Sequence, residues 1–554
     1  MASRLPMTGA DAVVNVLVQH GVSTLFGLPG IQLDPLFNAF YDARSRLRVI
    51  NARHEQGVAY MALGFAQATG KPGVYACVPG PGFLNTTAAL STAYACHAPV
   101  LALLGQVATE EIGAGHGVLH ELPDQTAIVR GLTRWNGLAL SAEEAPNLVS
   151  RAFASLAVGQ GPAAVELPAD VLRSPFISAE AHDAETLEPQ RVDPGAIAEA
   201  VRLLEGANRP MIMVGIGAID AGVDLRTIAE RVGAPVVSHL QGRGILDSRH
   251  PLSIGRADAF RLWRDADVIL AVGTRFNTPR RRWGLRPGQR VVRIDFDPAQ
   301  FRRGAPPDVA VLADARVALA ALAAALGAKR PQAVARTQAV AKVKAEVAAE
   351  FDRSLAPQMS FLRAIREASP EDAVFVADYT QVAYVGTAAL PVYAPRQMIT
   401  PGYQGTLGFA FATALGAKVG CPDKPVVALC GDGGFLFTAN ELATAVQHNI
   451  RTVTIVFNDG GYGNMRRMQQ DLYGGRVIAS DLKNPDFVRF AESFGAAARR
   501  AEGPQALSEA LGWAFDQPGP VIIEAPVDKM PDPWDLLEPE AEAPDPGGSS
   551  VPSI

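Results

Sequence analysis

The chain has 554 residues, of which 48% are hydrophobic and 19% charged, and its formal net charge is −6. This length exceeds what one hydrophobic core supports and predicts about three domains. The acidic balance gives no basic surface for nucleic acid or an anionic membrane, and every long apolar stretch is interrupted before it could cross a bilayer. Four scattered cysteines and the lack of a signal-like N-terminus lead us to expect a cytoplasmic protein.

Short apolar runs alternate with helical patterns in the first segment, residues 1–175. A run at 24–28 leads into Pro29 and Gly30, which is typical of a strand that ends in a turn. A polar linker pattern follows, and the alternation returns in residues 190–330. The further strand-like runs are 47–50, 73–78, 100–105 and 163–167 in the first segment and 211–215, 234–237, 268–273 and 291–295 in the second.

A third segment, residues 358–535, has the same pattern. The last residues, 536–554, are rich in Pro, Glu, Gly and Ser, and we expect them to be disordered. Strands that alternate with helices predict parallel, doubly wound sheets, so the expected fold class is α/β with three such domains. The first and third segments are similar in length, and both end strands in Gly-rich turns, which hints at duplicated α/β units.

Two acidic turns follow neighbouring strand-like runs of the third segment. Gly431–Gly434 and Asn458–Gly463 each come directly after an apolar run. The carboxylates of Asp432 and Asp459 should therefore meet at the carboxyl ends of adjacent strands, where open α/β sheets bind ligands. Carboxylate oxygens suit Mg²⁺, and glycines let backbone amides approach a phosphate. These turns predict a site for a magnesium-bound diphosphate.

This pair of turns resembles the thiamine-diphosphate motif. Over nearly its whole length the chain resembles the family that contains acetolactate synthase, pyruvate oxidase, benzoylformate decarboxylase and benzaldehyde lyase. The resemblance implies a pyrimidine-binding domain, a Rossmann-like middle domain and a diphosphate-binding domain, with thiamine diphosphate and Mg²⁺ as cofactors. It implies metal ligands at Asp432, at Asp459 (often Asn in the family) and at the Gly461 carbonyl. The residues implied to contact the cofactor are Gln381, Gly405, Leu407, Gly433, Gly434, Asn458 and Tyr462.

The segment Asn51–Gly57 is, by itself, compatible with an ordinary helix N-terminus, where a glutamate is favoured by the helix dipole. It also resembles the Arg-His-Glu block of the family. In that block the glutamate, here Glu55, hydrogen-bonds the aminopyrimidine ring and favours its imino tautomer, whose nitrogen takes the thiazolium proton. This glutamate and the diphosphate site come from different subunits in the family. The resemblance therefore implies a homodimer or homotetramer with active sites between subunits.

Two histidines are candidates for proton transfer. His97 lies in a block similar to one in benzoylformate decarboxylase, and His120 stands where acetolactate synthase carries a glutamine. A purely structural role remains open for each of them. In the middle segment, Gly215–Ala218 is only a fragment of a dinucleotide fingerprint, and residues 253–258 lack the Gly-x-His-Gly of flavin-binding relatives. FAD is therefore the disfavoured alternative for this domain.

The resemblance implies decarboxylation of a 2-oxo acid, followed by one of two outcomes. The fragment that remains is either joined to a second carbonyl compound, such as an aldehyde, or protonated and released. The segments Arg53–Gly57 and Gly405–Gly408 look more like the synthase branch, so an acetolactate synthase-like carboligase is the first expectation. A non-ligating decarboxylase or an acyloin lyase is the second. A catalytically silent regulatory paralogue is the alternative of another class, and the intact Glu55 and metal loop argue against it.

Overall fold

The computed structural model describes residues 7–159, 161–176, 191–303, 306–328 and 332–540. The described residues fall into two compact units, one within 1–189, 240–248 and 356–530 and the other within 190–239, 249–355 and 531–554. The first unit contains two six-stranded parallel sheets and the second contains one. The predicted α/β class is confirmed. No helix in the described ranges combines the length and the apolar character needed to span a membrane.

The N-terminal sheet belongs to the first unit. Its strands are β1 (Thr24–Gly27), β2 (Arg48–Asn51), β3 (Gly73–Cys77), β4 (Val100–Gln106), β5 (Trp135–Leu138) and β6 (Ala163–Pro168). The helices are α1 (Gly9–Gln19), α2 (Asp34–Asp42), α3 (Glu55–Thr69), α4 (Pro81–Cys96), α5 (Gln125–Leu132), α6 (Glu144–Ala157) and α7 (Ala169–Arg173). The strand order is β2-β1-β3-β4-β6-β5. Every residue of β4 is buried, as expected for a central strand covered by helices on both faces.

The second unit is built on the middle sheet. Its strands are β7 (Met211–Val214), β8 (Val236–Ser238), β9 (Ser253–Ile254), β10 (Val268–Val272), β11 (Arg290–Asp295) and β12 (Val309–Leu312), in the order β12-β11-β10-β7-β8-β9. The helices are α8 (Pro194–Gly206), α9 (Gly222–Val232), α10 (Arg256–Trp263), α11 (Ala315–Ala325) and α12 (Gln332–Ser354).

The C-terminal sheet also belongs to the first unit. Its strands are β13 (Val374–Ala377), β14 (Met398–Ile399), β15 (Val426–Gly431), β16 (Val453–Asn458), β17 (Ala497–Arg500) and β18 (Val521–Pro526), in the order β14-β13-β15-β16-β18-β17. The helices that accompany it are α13 (Ala356–Ala368), α14 (Gln381–Ala389), α15 (Ala410–Gly420), α16 (Asp432–Leu436), α17 (Leu442–Gln447), α18 (Gly463–Leu472), α19 (Phe487–Ser493) and α20 (Gly503–Phe515). Counted from the first strand of each sheet, this order is identical to that of the N-terminal sheet, so the hinted duplication is present in the topology.

The end of the described chain contributes to the second unit. A short helix, α21 (Trp534–Leu537), is followed by Glu538, whose carboxylate pairs with Arg256 and lies 3.7 Å from Nε of Arg282. The indole of Trp283 donates a hydrogen bond to the carbonyl of Pro539 at 3.1 Å. Glu538 and Pro539 fall within the segment 536–554 that was expected to be disordered. The rest of the expected tail, 541–554, lies outside the described residues, and the predicted domain limits stay predictions.

Helices α3 and α15 join the two sheets of the first unit through a reciprocal close approach at two glycines. A Cβ atom on Gly64 would lie 1.9 Å from the carbonyl oxygen of Thr413, and one on Gly416 would lie 1.8 Å from that of Met61. Neither oxygen belongs to a flexible side chain, so any larger residue would force the helix backbones apart. The N-terminal and C-terminal domains therefore pack at a separation that only glycine permits.

We expect Gly64→Ala and Gly416→Ala each to destabilise the protein by about 2 kcal/mol or more, because a methyl group cannot fit between the helices without a backbone shift. A lower thermal denaturation midpoint would show this effect. Gly512→Ala is the matched control, since Gly512 is in α20 and no atom lies within 4 Å of the place that its Cβ would occupy. The control should be neutral or stabilising by up to about 1 kcal/mol. Equal midpoints for Gly64→Ala and the control would contradict the packing argument.

Candidate active site

The two acidic turns meet at the carboxyl edge of the C-terminal sheet. Strands β15 and β16 are parallel neighbours, with Gly431 paired to Phe457. Asp432 begins α16 directly after β15, and Asp459 directly follows β16. The sheet geometry thus brings together the carboxylates that the strand pattern predicted to be adjacent.

Asp432 is fixed by three donors. Only 2% of its surface is exposed. Its Oδ1 accepts a hydrogen bond from the backbone N–H of Gly433 at 2.8 Å, and its Oδ2 accepts from the N–H of Gly461 at 3.2 Å and from Nδ2 of Asn484 at 2.6 Å. Burial raises the pKa of Asp432, and these hydrogen bonds oppose that rise. The carboxylate is therefore held in one orientation against the turn that carries Asp459.

Asp459 has a different environment. Its Oδ2 accepts a hydrogen bond from Nε2 of Gln381 at 3.0 Å, and Gln381 is held in turn by the backbone N–H of Met530 at 2.8 Å. Burial and repulsion from Asp432 raise the pKa of Asp459 to about 6. Two carboxylates that repel each other at one sheet edge are stabilised by a cation between them.

The glycines beside these carboxylates leave little room for any side chain. A Cβ on Gly433 would lie 2.7 Å from the ring of Tyr462, and one on Gly434 would lie 3.1 Å from Oδ2 of Asp378. Asp378 is buried and accepts a hydrogen bond from the N–H of Gly408 at 3.1 Å. A residue larger than glycine at 433 or 434 would therefore have to displace Tyr462 or crowd Asp378.

The donor set fits a magnesium diphosphate. Asp432, Asp459 and the Gly461 carbonyl would offer hard oxygen ligands to Mg²⁺. The amides of Gly433 and Gly434 are the predicted phosphate donors, and in this structure the N–H of Gly433 donates to Asp432. Across the described ranges, no cluster of three or more His, Cys, Asp or Glu side chains could hold a metal by itself. Mg²⁺ would thus depend on backbone and diphosphate oxygens to complete its octahedral shell. The ligand roles of these residues stay predictions.

The segment with Gly405 and Leu407 lies between β14 and α15. Gly405 adopts φ +65° and Gly408 adopts φ +77°, a conformation that glycine accepts readily. Between them, the Thr406 hydroxyl lies 3.1 Å from that of Thr92 on α4, and Leu407 is half-buried. The N-terminal domain of the same chain therefore helps to hold this segment in place.

Glu55 is the first residue of α3, at the carboxyl edge of the N-terminal sheet. Its Oε2 accepts a hydrogen bond from Nδ2 of Asn85 at 3.0 Å, and its Oε1 lies 3.6 Å from where a Cβ on Gly82 would be. The loop before Glu55 is held by the buried carboxylate of Glu441, which accepts from the N–H groups of Arg53 at 3.1 Å and His54 at 2.9 Å. The described contacts tie Glu55 to its own sheet edge rather than to the turn of Asp432.

The structure separates the two candidate histidines. His120 lies in the loop before α5, where its carbonyl oxygen is 2.5 Å from the Cβ position of Gly80, in the turn after β3. His97 ends α4 just before β4, and its Cα is 3.6 Å from the Cβ position of Gly161, just before β6. A residue that precedes a strand lies at its amino end. Within this chain, His120 therefore shares the edge of Glu55, and His97 lies at the opposite edge.

In the middle domain, the Gly-rich fragment is explained by packing. A Cβ on Gly215 would lie 2.4 Å from the carbonyl oxygen of Gly273, and one on Gly217 would lie 2.7 Å from the Cα of Gly273. The turns after β7 and β10 thus contact each other through backbone alone. These glycines need no bound nucleotide to account for them.

Comparison with known proteins identifies the family. Residues 7–128 match the N-terminal TPP binding domain of thiamine pyrophosphate enzymes, residues 197–322 match their central domain, and residues 378–525 match their C-terminal TPP binding domain. The chain belongs to the thiamine pyrophosphate enzyme family. The resemblance inferred from the sequence is confirmed, and thiamine diphosphate (the same compound) is the cofactor that these domains bind.

Relatives within the family carry two kinds of name. The chain is 35% identical to a probable 2-ketoarginine decarboxylase from Pseudomonas aeruginosa, over 95% of both chains. It is 32% identical to a probable acetolactate synthase large subunit from Methanocaldococcus jannaschii, over 94% of this chain and 92% of the relative. It is 31% identical to the acetolactate synthase isozyme 3 large subunit from Escherichia coli, over 92% of both. The protein is thus a thiamine-diphosphate-dependent enzyme of the carboligase or decarboxylase type.

Several residues at the thiamine-diphosphate site escaped the sequence reasoning. Asn484 bridges Oδ2 of Asp432 and, at 3.0 Å, Oδ1 of Asn458, yet it comes from a loop whose Asn-Pro pair is typical of any turn. Glu441 lies directly before α17, in a run whose sequence pattern is that of an ordinary helix. Asp378 directly follows β13, and its place after a buried strand is the one signal that could have drawn attention to it.

Replacing Asp459 by asparagine tests the repulsion between the two carboxylates. Because the pKa of Asp459 is raised to about 6 from 3.8, the ionised form costs stability above pH 6 and the cost disappears as the pH falls towards 4. We expect Asp459→Asn, without cofactors, to raise stability by up to about 2 kcal/mol at pH 7 and to match wild type near pH 4. Thermal denaturation at both pH values measures this difference. Asp471→Asn, on the exposed end of α18, is the control, and an equal gain in that variant would contradict the prediction.

Proposed function

We propose that this enzyme decarboxylates a 2-oxo acid with thiamine diphosphate and Mg²⁺ and releases the product as an aldehyde. When bound, the cofactor supplies a thiazolium carbon that adds to the substrate carbonyl and a ring that accepts the electrons released with CO₂. The observation that carries the choice of outcome is the position of His120 at the same sheet edge as Glu55. A histidine there provides a proton donor and acceptor in a position where the chain's synthase relatives are expected to carry glutamine.

Glu55 is the activating residue in this proposal. Its carboxylate is held by Asn85 at 3.0 Å and stands at the N-terminus of a helix whose start is fixed by Glu441. A carboxylate in this position would hydrogen-bond the aminopyrimidine ring and favour the ring tautomer that removes the thiazolium proton. Asp432, Asp459 and the Gly461 carbonyl would hold Mg²⁺, and Gly433 and Gly434 would hold the diphosphate. Neither FAD nor any other flavin is part of the proposal.

We further propose that a second copy of the chain completes each active site. Large apolar side chains are exposed beside both halves of the machinery, and such patches on a soluble protein mark interfaces. On the N-terminal domain they are Ile31, Leu84 and Leu119, and on the C-terminal domain they are Tyr403, Leu436 and Phe437. The proposed assembly is a homodimer or a homotetramer in which Glu55 of one chain serves the diphosphate site of another.

Carboligation is the second candidate function. The identity to acetolactate synthase subunits over more than 90% of the chain favours it, as do the segments around Glu55 and Leu407. Stoichiometry separates the two reactions. Protonation yields one aldehyde for each CO₂, whereas acetolactate-type ligation consumes a second oxo acid or an aldehyde for each CO₂.

The purified enzyme with thiamine diphosphate and Mg²⁺ should release CO₂ from at least one 2-oxo acid in a panel of pyruvate, 2-oxobutyrate, phenylglyoxylate and 2-ketoarginine. The panel includes 2-ketoarginine because of the name of one relative. Equal amounts of aldehyde and CO₂ would support the first candidate. A hydroxy-ketone product in place of the aldehyde would favour carboligation over aldehyde release. A panel in which no 2-oxo acid releases CO₂ would contradict both candidate functions.

Glu55→Gln tests the activating role. We expect turnover to fall at least about a hundredfold, because an amide cannot exchange a proton with the aminopyrimidine ring as a carboxyl group does. Calorimetry should show that Mg²⁺-dependent binding of thiamine diphosphate is retained. Glu509→Gln, on the exposed face of α20, is the matched control and should keep wild-type turnover. An active Glu55→Gln enzyme would refute the role.

A further inference from the structure

Gln32 is a buried glutamine whose side-chain amide contacts two consecutive residues, the backbone carbonyl of Leu119 and the ring of His120. It lies in a short turn soon after β1, and 7% of its surface is exposed. Its Nε2 donates a hydrogen bond to the carbonyl oxygen of Leu119 at 2.9 Å. Its Oε1 lies 3.1 Å from Nδ1 of His120. Both ends of the Gln32 amide therefore bind to the one turn that contains Leu119 and His120.

These two contacts determine where the proton of neutral His120 resides. The Leu119 carbonyl can only accept a hydrogen bond, so the NH₂ end of Gln32 must face it. The Oε1 end, which can also only accept, then faces His120. Turning the amide over would place two acceptor oxygens against each other and would lose a buried hydrogen bond. Nδ1 of His120 must therefore carry the hydrogen, and the lone pair of the neutral ring lies on Nε2.

The backbone of His120 is fixed as well. It adopts φ +68°, which few residues other than glycine favour. The carbonyl oxygen of His120 abuts Gly80, and the N–H of Gly80 donates to Oε1 of Gln125 at 3.1 Å. In the same turn, the Cβ position of Gly82 is 3.6 Å from Glu55. The histidine is consequently held, by backbone and by ring, at the edge where Glu55 lies.

We propose that Gln32 is a positioning residue that keeps neutral His120 protonated on Nδ1 and so presents Nε2 as the proton acceptor for the hydroxyl group that the former 2-oxo carbon carries before the aldehyde is released. This inference rests on the proposed role of His120. In the step, the Nε2 lone pair forms a new N–H bond, the O–H bond breaks, and its electron pair stays on oxygen. The ring, now cationic, still donates Nδ1–H to Gln32 and afterwards returns the Nε2 proton to water. Among the described residues, no hydrogen bond to Nε2 competes with this use.

Two substitutions of Gln32 separate positioning from simple packing. Gln32→Met keeps the length of the side chain and removes both hydrogen bonds. Gln32→Glu loses the bond to Leu119 but keeps an oxygen that accepts from Nδ1. We expect Gln32→Met to lower kcat at least about tenfold, with KM and cofactor affinity within about twofold of wild type, and Gln32→Glu to recover most of that loss. Gln67→Met, which alters a half-buried glutamine on α3, is the matched control and should keep wild-type kcat.

The tautomer itself is measurable by ¹⁵N NMR of the histidine-labelled holoenzyme, with His120 assigned from the spectrum of His120→Gln. The wild type and Gln32→Glu should show hydrogen on Nδ1 of neutral His120, and Gln32→Met should show a mixture or the Nε2-protonated form. A wild-type His120 with hydrogen on Nε2 would overturn the inference. Any loss of activity in the Gln32 variants would then reflect a structural role of Gln32, which does not require a particular tautomer of His120.

A double-mutant cycle distinguishes failure of this inference from failure of the proposed function. If Gln32 acts through His120, Gln32→Met should cause no further loss of kcat in a His120→Gln background. Losses that multiply would overturn the inference and leave the role of His120 intact. Wild-type turnover in His120→Gln alone would overturn the proposed role of His120 and this inference with it.

Discussion

The close contact of α3 with α15 is the constraint on which the rest of the first unit depends. Gly64 and Gly416 each face a backbone carbonyl of the other helix, so the two helices have a single allowed separation. Helix α3 begins at Glu55, and α15 begins just after the segment with Gly405 and Leu407. This close approach therefore sets the positions at which α3 begins and at which the segment before α15 ends, and these are the places of predicted cofactor-contacting residues. The two glycines are required by geometry rather than by any chemistry of their own.

The same strand order in the N-terminal and C-terminal sheets produces equivalent positions at their carboxyl edges. The first strand of each sheet is followed by a glutamine that supports a residue from a later loop. Gln32, after β1, holds His120, and Gln381, shortly after β13, holds Asp459. The same position in the two sheets thus holds side chains of different chemistry, the imidazole of His120 in one and the carboxylate of Asp459 in the other.

The sequence predicts those parts of the site that lie directly after buried strands, because the carboxyl ends of parallel strands converge. Asp432 and Asp459 are in this class, and the structure brings them together. Asn484 could not be found in this way, since it reaches Asp432 from a loop whose path depends on tertiary packing. The position of His97 away from the site follows from strand direction alone. This residue precedes β4, so the direction of the strand already places it at the amino edge, away from Glu55.

Glu441 links the two halves of the machinery within one chain. It is fully buried, and burial raises its pKa; the N–H groups of Arg53 and His54, the Thr444 hydroxyl and the Asn440 amide supply its hydrogen bonds. The short helix α16 connects Asp432 to the turn in which Glu441 lies. The turn that carries Asp432 is thereby joined, through α16 and the hydrogen bonds of Glu441, to the loop that precedes Glu55. In the proposed assembly Asp432 and Glu55 serve different active sites, so this hydrogen-bonded segment is one by which a single chain contributes to both of them.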